Sequence, residues 1–422
     1  MKQSIKSGER RPVEATEAKA VCRGMLDELL RTGARQMLAA AVESEVAEFL
    51  EQHREVRDEQ GRRLVVRNGY HNERTLLTGI GPIAVRQPRV DDRAIRDDNS
   101  TKVFTSALLP AYARRAPSID TVVPVLYLKG ISTSDFPAAL AGIFGENVSN
   151  LSASTVTRLK SVWEQEYAQW SKQDLSGKRY VYVWVDGIYF NVRLEADRAC
   201  ILVIIGVTED GVKELVALRD GMRESKESWK EVMLDVKARG LSIAPLLAIG
   251  DGSLGFWAAL EEVYPSTKQQ RCWVHKTANI LDKAPKSIQP AMKRAIFDIY
   301  MAPSKEEAFK AYRRFIEIYG DRYPKAVACL TKDEDQLFNF YDFPKEHWVH
   351  IRTTNPIEST FATVRHRARR TKGCGSRMAT LTMAWKLVLE AQKTWKALRG
   401  YKLIPLVIKG VRFVNGEQSA AA

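Results

Sequence analysis

Cysteine is scarce in this chain. There are five in 422 residues, Cys22, Cys200, Cys272, Cys329 and Cys374, and no Cys-x-x-Cys pair. An odd, scattered set argues against a disulfide framework and a zinc ribbon, and implies a reduced, cytoplasmic protein. No stretch approaches the roughly 20 apolar residues of a membrane-spanning helix. Residues 1–19 are polar and lack the apolar core of a secretion signal. A Gly-x-x-x-x-Gly-Lys phosphate loop is missing, so ATP hydrolysis has no support. No serine or cysteine stands beside a plausible base for nucleophilic catalysis. Acids are also short: 51 Asp and Glu against 65 Lys and Arg leave a net charge of +14. A globular fold gains nothing from that excess. Nucleic acid is the economical partner, and an anionic membrane surface the weaker one.

What is present is a chain 45% hydrophobic, enough for a substantial core, with a length that suits several compact units. Residues 1–55 read as helix, with Met25, Leu26, Leu29 and Leu30 and then Leu38, Val42, Val46, Phe49 and Leu50 at helical spacing. Residues 62–91 change period into short β runs, punctuated by Asn68-Gly69 and by Gly79 and Gly81. Their arginines (Arg62, Arg63, Arg67, Arg74, Arg86, Arg89) fit phosphate contact or a solvated hairpin equally. Residues 117–170 suit a helix-turn-helix whose third helix puts Arg158 and Lys160 off its apolar stripe, toward DNA. An ordinary helical hairpin is the alternative. From residue 178 the order becomes β-β-β-α-β-α-β, three antiparallel strands followed by strands that crossover helices force to be parallel. That is the mixed five-stranded sheet of an RNase H-like α/β domain. The expected layout is an N-terminal helical and β-hairpin DNA-binding region (1–110) and a helix-turn-helix-like domain (111–175). A catalytic domain (176–276 and 348–402) follows, split by an all-helical insertion (277–347), and then a tail (403–422). Residues 269–274 read as the fifth strand, and residues 348–351 carry a weak strand signal.

Asp186 and Asp251 each follow an apolar β run and precede a glycine. Taken singly, either suits a turn. As a pair at the ends of the first and fourth strands, they gather where open α/β sheets bind ligands. Neighbouring carboxylates repel, and a divalent cation relieves the conflict. Glu358 follows Asn355-Pro356, a helix start, and stands at its third position, where a capping role is the bland alternative. It is also the one acid between Arg352 and Lys372, among Arg365, Arg367, Arg369 and Arg370. Asp186, Asp251 and Glu358 are therefore the candidate catalytic and metal-binding set, with two magnesium ions, or manganese in their place. Arg365, Arg369, Arg370 and Lys372 are candidates to lead DNA phosphates to it. Cys272 and His275 form a Cys-x-x-His unit that gives two ligands, short of a structural zinc site. Cys272 suits the core, and His275 the rim. Trp348 suits either base stacking or the core.

Val185-Asp186-Gly187-Ile188-Tyr189, Gly250-Asp251-Gly252, Gln270-Arg271-Cys272-Trp273-Val274-His275 and Arg352-Thr353-Thr354-Asn355-Pro356-Ile357-Glu358-Ser359 resemble successive signatures of the Mutator-type bacterial insertion-sequence transposases. Arg67-Asn68-Gly69-Tyr70 and Gln87-Pro88-Arg89 resemble that family's amino-terminal region. The resemblance implies an RNase H-like core and a DDE triad at Asp186, Asp251 and Glu358, dependent on magnesium. It further implies binding of double-stranded DNA at terminal inverted repeats, and strand transfer by a 3′-hydroxyl into target DNA. A homodimer or larger assembly is expected, because two element ends must meet, and so is a place in the bacterial cytoplasm, at the nucleoid when bound to DNA. The resemblance also marks Cys272 and His275 as part of the family's Cys-x-x-His signature, candidates for active-site support whose role it leaves open. Two departures stand out: Gly187 where alanine is expected, and Thr360-Phe361-Ala362-Thr363 in place of a polar, arginine-rich run. The alternatives are a metal-dependent nuclease of the same fold without strand transfer, and a catalytically silent DNA-binding derivative.

Overall fold

The structure, a computed structural model, describes residues 12–92, 104–129, 131, 135–144, 153–192, 198–221, 223–370 and 376–419. The chain divides into two compact units, Met1–Val156 and Thr157–Ala422. None of the described helices is long and apolar enough to cross a membrane.

The first unit opens with the long helix α1 (Pro12–Gln52). Strands β1 (Val66–Tyr70), β2 (Arg74–Thr78), β3 (Gly81–Val85) and β4 (Pro88–Asp91) follow. β1 pairs antiparallel with β4, and β2 with β3. Val42 of α1 packs on Leu76, Ile83, Val85 and Leu109, whereas Met25, Leu26, Leu29 and Leu30 are exposed. Asn68-Gly69 is an irregularity inside β1 rather than a turn between strands, because the register slips between Arg67 and Tyr70. Several of the arginines there have protein partners: Arg62 pairs with Asp58 at 2.9 Å, Arg67 with Glu43 at 2.8 Å, Arg74 donates to the carbonyl of Pro110 at 2.9 Å, and Arg86 stacks over the Tyr70 ring at 4.9 Å. Helices α2 (Pro117–Leu128) and α3 (Phe136–Phe144) come next, and α4 (Ala153–Trp170) crosses into the second unit. The turns of the expected helix-turn-helix, at 132–134 and 145–152, lie outside the described residues.

The second unit is built on β5 (Tyr180–Phe190), β6 (Ala199–Thr208), β7 (Lys213–Gly221), β8 (Leu247–Gly250) and β9 (Lys268–Arg271). They form one five-stranded sheet in the order β7-β6-β5-β8-β9. β5, β6 and β7 are antiparallel neighbours, and β8 lies parallel to both β5 and β9. This is the mixed sheet that the order of runs predicts. The crossovers are α5 (Lys226–Ala238) and α6 (Leu254–Val263). Ser225 caps α5 by accepting from the Ser228 amide. Trp229, Val232, Met233, Phe256, Trp257 and Leu260 from these helices pack on Val183, Val185, Leu202 and Ile204 of one sheet face. On the other face, Trp184 Nε1 donates to the His350 carbonyl at 3.0 Å, and Tyr182 Oη bonds His347 Nδ1 at 2.8 Å. Burial on both faces explains why these strands read as unbroken apolar runs.

Helices α7 (Trp273–Leu281), α8 (Gln289–Tyr300), α9 (Lys305–Tyr319), α10 (Pro324–Thr331) and α11 (Glu334–Leu337) follow β9. Two readings are corrected here. The fifth strand stops at Arg271, and Trp273, Val274 and His275 form the first turn of α7, because Trp273 N–H bonds the Arg352 carbonyl instead of a strand neighbour. Residues 348–351 are a turn of helix, α12 (Trp348–Ile351), not a strand. Helices α13 (Asn355–Arg370) and α14 (Arg377–Gln392) then cover the sheet, α13 over β5 and α14 over β7. A final short helix α15 (Ile404–Ile408) precedes a hairpin of β10 (Phe413–Val414) and β11 (Glu417–Gln418). Its turn docks on the inserted helices: Asn415 Oδ1 accepts from the Lys305 amide at 2.8 Å, and the Gly416 carbonyl from the Lys345 amide at 3.1 Å.

Candidate active site

Asp186 sits inside β5, which runs on to Phe190, so the expectation that the strand ends at Asp186-Gly187 is corrected. The antiparallel partner β6 continues as well and keeps the strand paired, with Asp186 opposite Val203. On the other side, the parallel register couples Trp184 with Ile249. Two residues further along both chains come Asp186 and Asp251, level with each other where β8 stops. Only 8% of Asp186 is exposed, since it shares the face that α13 covers. Burial first, and then the Asp251 charge, push its carboxyl up to about 7; Glu224 adds to the rise and His275 opposes it. One oxygen of each aspartate is committed locally: Asp186 Oδ1 accepts from the Gly187 amide at 2.9 Å, and Asp251 Oδ1 from the Ser253 amide at 2.9 Å. The turn-residue reading is thus right for one oxygen of Asp251 and wrong for Asp186, which lies in no turn.

Glu358 arrives from α13. The helix begins at Asn355, which places Glu358 in its fourth position, not the third. The carbonyl of Thr354 accepts the amides of Ile357 and Glu358 at 2.9 and 3.0 Å, so Thr354 closes the helix start. Glu358 Oε1 accepts from Thr354 Oγ1 at 2.7 Å and lies 3.8 Å from His275 Nδ1. His275 is pushed up to about 9 by its hydrogen bond to Cys272 and by the charges of Cys272, Asp186 and Glu358, against the opposing effect of burial. Electrostatics therefore link Asp251 to Asp186, Asp186 to His275, and His275 to Glu358. Cys272 is fully buried, as expected of a core residue. Among the described residues, no lysine or arginine forms an ion pair with Asp186, Glu224, Asp251 or Glu358.

Glu224 is a residue that sequence reasoning missed. It lies just before the Ser225 cap of α5, and burial followed by the Asp251 charge pushes its carboxyl up to about 7. Its carboxyl rests on the bare α-carbon of Gly187, where a β-carbon would overlap it. An alanine at this place, which the resemblance leads one to expect, would require the Glu224 side chain to shift. The signal available in the sequence was slight: an acid at the foot of the helix that follows the third strand.

The Asp251 charge raises both Asp186 and Glu224, a repulsion that a hard divalent cation held by their oxygens would offset. Cys272, His275 and Glu358 also bring ligand atoms within 4.8 Å of one another, a softer set.

The proposed DNA contacts fare unevenly. Arg158 is exposed on α4, and Lys160 is half-buried there. Arg365 is exposed, its guanidinium 5.8 Å from the centre of the Phe361 ring. The side chains of Arg369 and Arg370, and all of Lys372, lie outside the described residues. Arg367 of the same run is buried, and Arg352 Nη1 donates to the Tyr300 carbonyl at 3.1 Å, so this stretch is not a wholly solvated basic helix. Trp348 packs edge-on to Phe340 and Tyr341 and donates to the Phe343 carbonyl, which makes it a core residue and removes the base-stacking alternative. Thr360 and Phe361, which depart from the arginine-rich pattern, are buried in packing.

Comparison with known proteins shows the family of the chain. A model of the transposase Mutator family matches residues 7–397. A transposase for insertion sequence element IS6120 of Mycolicibacterium smegmatis is 52% identical over 295 residues, 70% of this chain and 91% of that protein. A transposase for element IST2 of Acidithiobacillus ferrooxidans is 50% identical over 285 residues, 66% of this chain and 94% of that protein. A third relative, the transposase for IS256 in transposon Tn4001 of Staphylococcus aureus, is 29% identical over 306 residues, 71% of this chain and 74% of that protein. With the family model spanning nearly its whole length, the chain belongs to the Mutator family of transposases.

Proposed function

We propose that this protein is a DDE transposase with an RNase H-like core, in which Asp186, Asp251 and Glu358 hold two divalent cations, magnesium or manganese, at the rim of the mixed sheet. The observation that carries the reading is the pairing of a buried acid on β5 with an acid level with it beyond β8, under a helix that brings a third acid, while among the described residues no lysine or arginine forms an ion pair with any of them. Family membership and the names of the relatives support transposition as the activity. Bound cations would supply charge neutralisation at the scissile phosphate and activation of the attacking oxygen. The chain's own residues do the rest. Asp186 and Asp251 each direct one oxygen to the local backbone and keep the other for a ligand. Glu358 closes the group from above the sheet, and protonated His275 balances part of its negative charge. Exposed Arg365 and Arg158 offer phosphate contacts that position double-stranded DNA without reading its sequence. Terminal inverted repeats are the proposed binding sites, and two ends held together call for a homodimer or larger assembly.

The test is incubation with magnesium and a DNA end from the protein's own element. Joined products are expected. Cut ends without joining would instead favour a nuclease, and neither product would refute the enzyme. A second expectation concerns pH. Asp186 is largely protonated below about 7, and protons compete with metal for a carboxylate. The rise in melting temperature on adding magnesium should therefore be larger at pH 8 than at pH 6. Scanning fluorimetry that finds equal shifts at the two pH values, or none, would count against a cation on Asp186.

A further inference from the structure

Beyond the charge of His275, the Cys-x-x-His unit has no part in the mechanism so far, yet it converges on one hydroxyl. Thr354 Oγ1 lies 2.7 Å from Glu358 Oε1, 3.2 Å from Cys272 Sγ and 3.3 Å from His275 Nδ1. The Thr354 amide also donates to Cys272 Sγ at 3.2 Å, and Thr354 is fully buried. A hydroxyl has one proton to give and two lone pairs. The shortest bond, to a carboxylate that can only accept, claims the proton. Cys272 S–H and His275 Nδ1–H are then the donors that fill the two lone pairs, while the sulfur accepts from the Thr354 amide. Were the hydroxyl proton aimed at sulfur instead, two oxygens would face each other at 2.7 Å without a hydrogen between them. With Cys272 as the neutral thiol and His275 also bonding its sulfur, the count closes when the hydroxyl proton points to Glu358, running from Cys272 and His275 through Thr354 to Glu358.

We propose that Thr354 is a positioning residue for the third acid: its hydroxyl, oriented by Cys272 and His275, pins Oε1 of Glu358 and leaves Oε2 for the cation. The inference rests on the reading of Glu358 as a cation ligand. It gives the Cys-x-x-His unit a task that needs neither zinc nor a nucleophilic sulfur. β9 ends at Arg271, Cys272 follows as the N-cap residue of α7 with its sulfur turned to Thr354, and the first turn of α7 brings His275 to the same oxygen. Outer residues that orient metal ligands characteristically tune affinity more than they build the fold.

The test uses the full chain and Mn²⁺ as probe, with three readouts: calorimetric Mn²⁺ binding without DNA, cleavage as a function of Mn²⁺ concentration, and DNA binding. Thr354→Val keeps the shape and removes the hydroxyl. It should raise the Mn²⁺ midpoint roughly 10- to 100-fold, with cleavage recovering at saturating metal and DNA binding unchanged. Thr354→Ser should restore the parental midpoint. Cys272→Ala should shift the midpoint in the same direction, and should add nothing further to Thr354→Val. An unchanged midpoint in Thr354→Val, or a Thr354→Ser variant as impaired as the valine, would overturn the proposal. So would a stoichiometric zinc ion in the purified protein that is lost on Cys272→Ala. Should the valine variant fail to fold, Cys272→Ala decides the matter by the same midpoint. Glu358→Gln, assayed alongside, separates the two levels: full cleavage there defeats the triad, whereas loss of cleavage with a parental midpoint in Thr354→Val defeats this inference alone.

Discussion

Asp251→Asn should reduce metal-dependent DNA cleavage on the order of 10³-fold, about 4 kcal/mol of transition-state stabilisation, while the protein folds and binds DNA as before. The substitution is nearly isosteric. Asparagine keeps an oxygen for the Ser253 amide, which Asp251 Oδ1 accepts at 2.9 Å, so the loop after β8 keeps its local bond. What is lost is a negative charge and a ligand oxygen. Without that charge, Asp186 loses the largest electrostatic contribution to its raised pKa, and its carboxyl should move down from about 7 toward the ordinary range. The metal-free protein should accordingly be no less stable than the parent, even as the enzyme fails. DNA binding, which the proposal assigns to arginines such as Arg365 and Arg158, should survive in a filter-binding titration. Full cleavage by Asp251→Asn would end the triad assignment. Complete loss of DNA binding would instead mean that recognition and catalysis share residues.

Gly252→Ala should lower the melting temperature by on the order of 10 °C, corresponding to about 3 kcal/mol or more in a unit of this size. Two costs add. Gly252 holds a φ of +90°, where an L side chain is strained by roughly 1–2 kcal/mol. A β-carbon there would also overlap the guanidinium of Arg271. Arg271 is only 5% exposed, and its Nε lies 3.2 Å from Asp333 Oδ2, an oxygen it shares with Lys276 Nζ at 2.8 Å. The arginine cannot move outward without leaving that partner, and a buried charge separated from its partner is costly. Because Gly252 adjoins Asp251, cleavage should fall even at temperatures where the variant is folded. A melting temperature within a degree of the parent would show that Arg271 has room to move and that Gly252 is not required there.

The architecture of the second unit was legible because its signals are local. Unbroken apolar runs at β5, β6 and β7 announce strands buried on both faces, and the Glu209-Asp210-Gly211 turn sends β7 back along β6. Helix α6 spans Leu254–Val263, the span its apolar spacing predicts, and α5 starts at its Ser225 cap. Errors arose where a tertiary partner outbid a local preference. Asp186-Gly187 looks like a turn, but β6 continues alongside and holds the strand to Phe190. Trp273 looks like strand, but the Arg352 carbonyl takes its amide and α7 begins. Arg367 and Arg365 are indistinguishable by composition, yet α13 buries one and exposes the other.

By itself, then, the sequence determined most of the strands and helices of the second unit, that parallel strands need helical crossovers, and that three acids sit beside the strands and helix that could present them. These follow from side-chain periodicity and backbone chirality, which act over a few residues. Only the tertiary structure decided that Glu224 rests on Gly187 and that Thr354 joins Cys272, His275 and Glu358. Such meetings depend on how strands order and helices dock across long loops, and no spacing along the chain encodes the few ångströms that separate a hydrogen bond from a near miss.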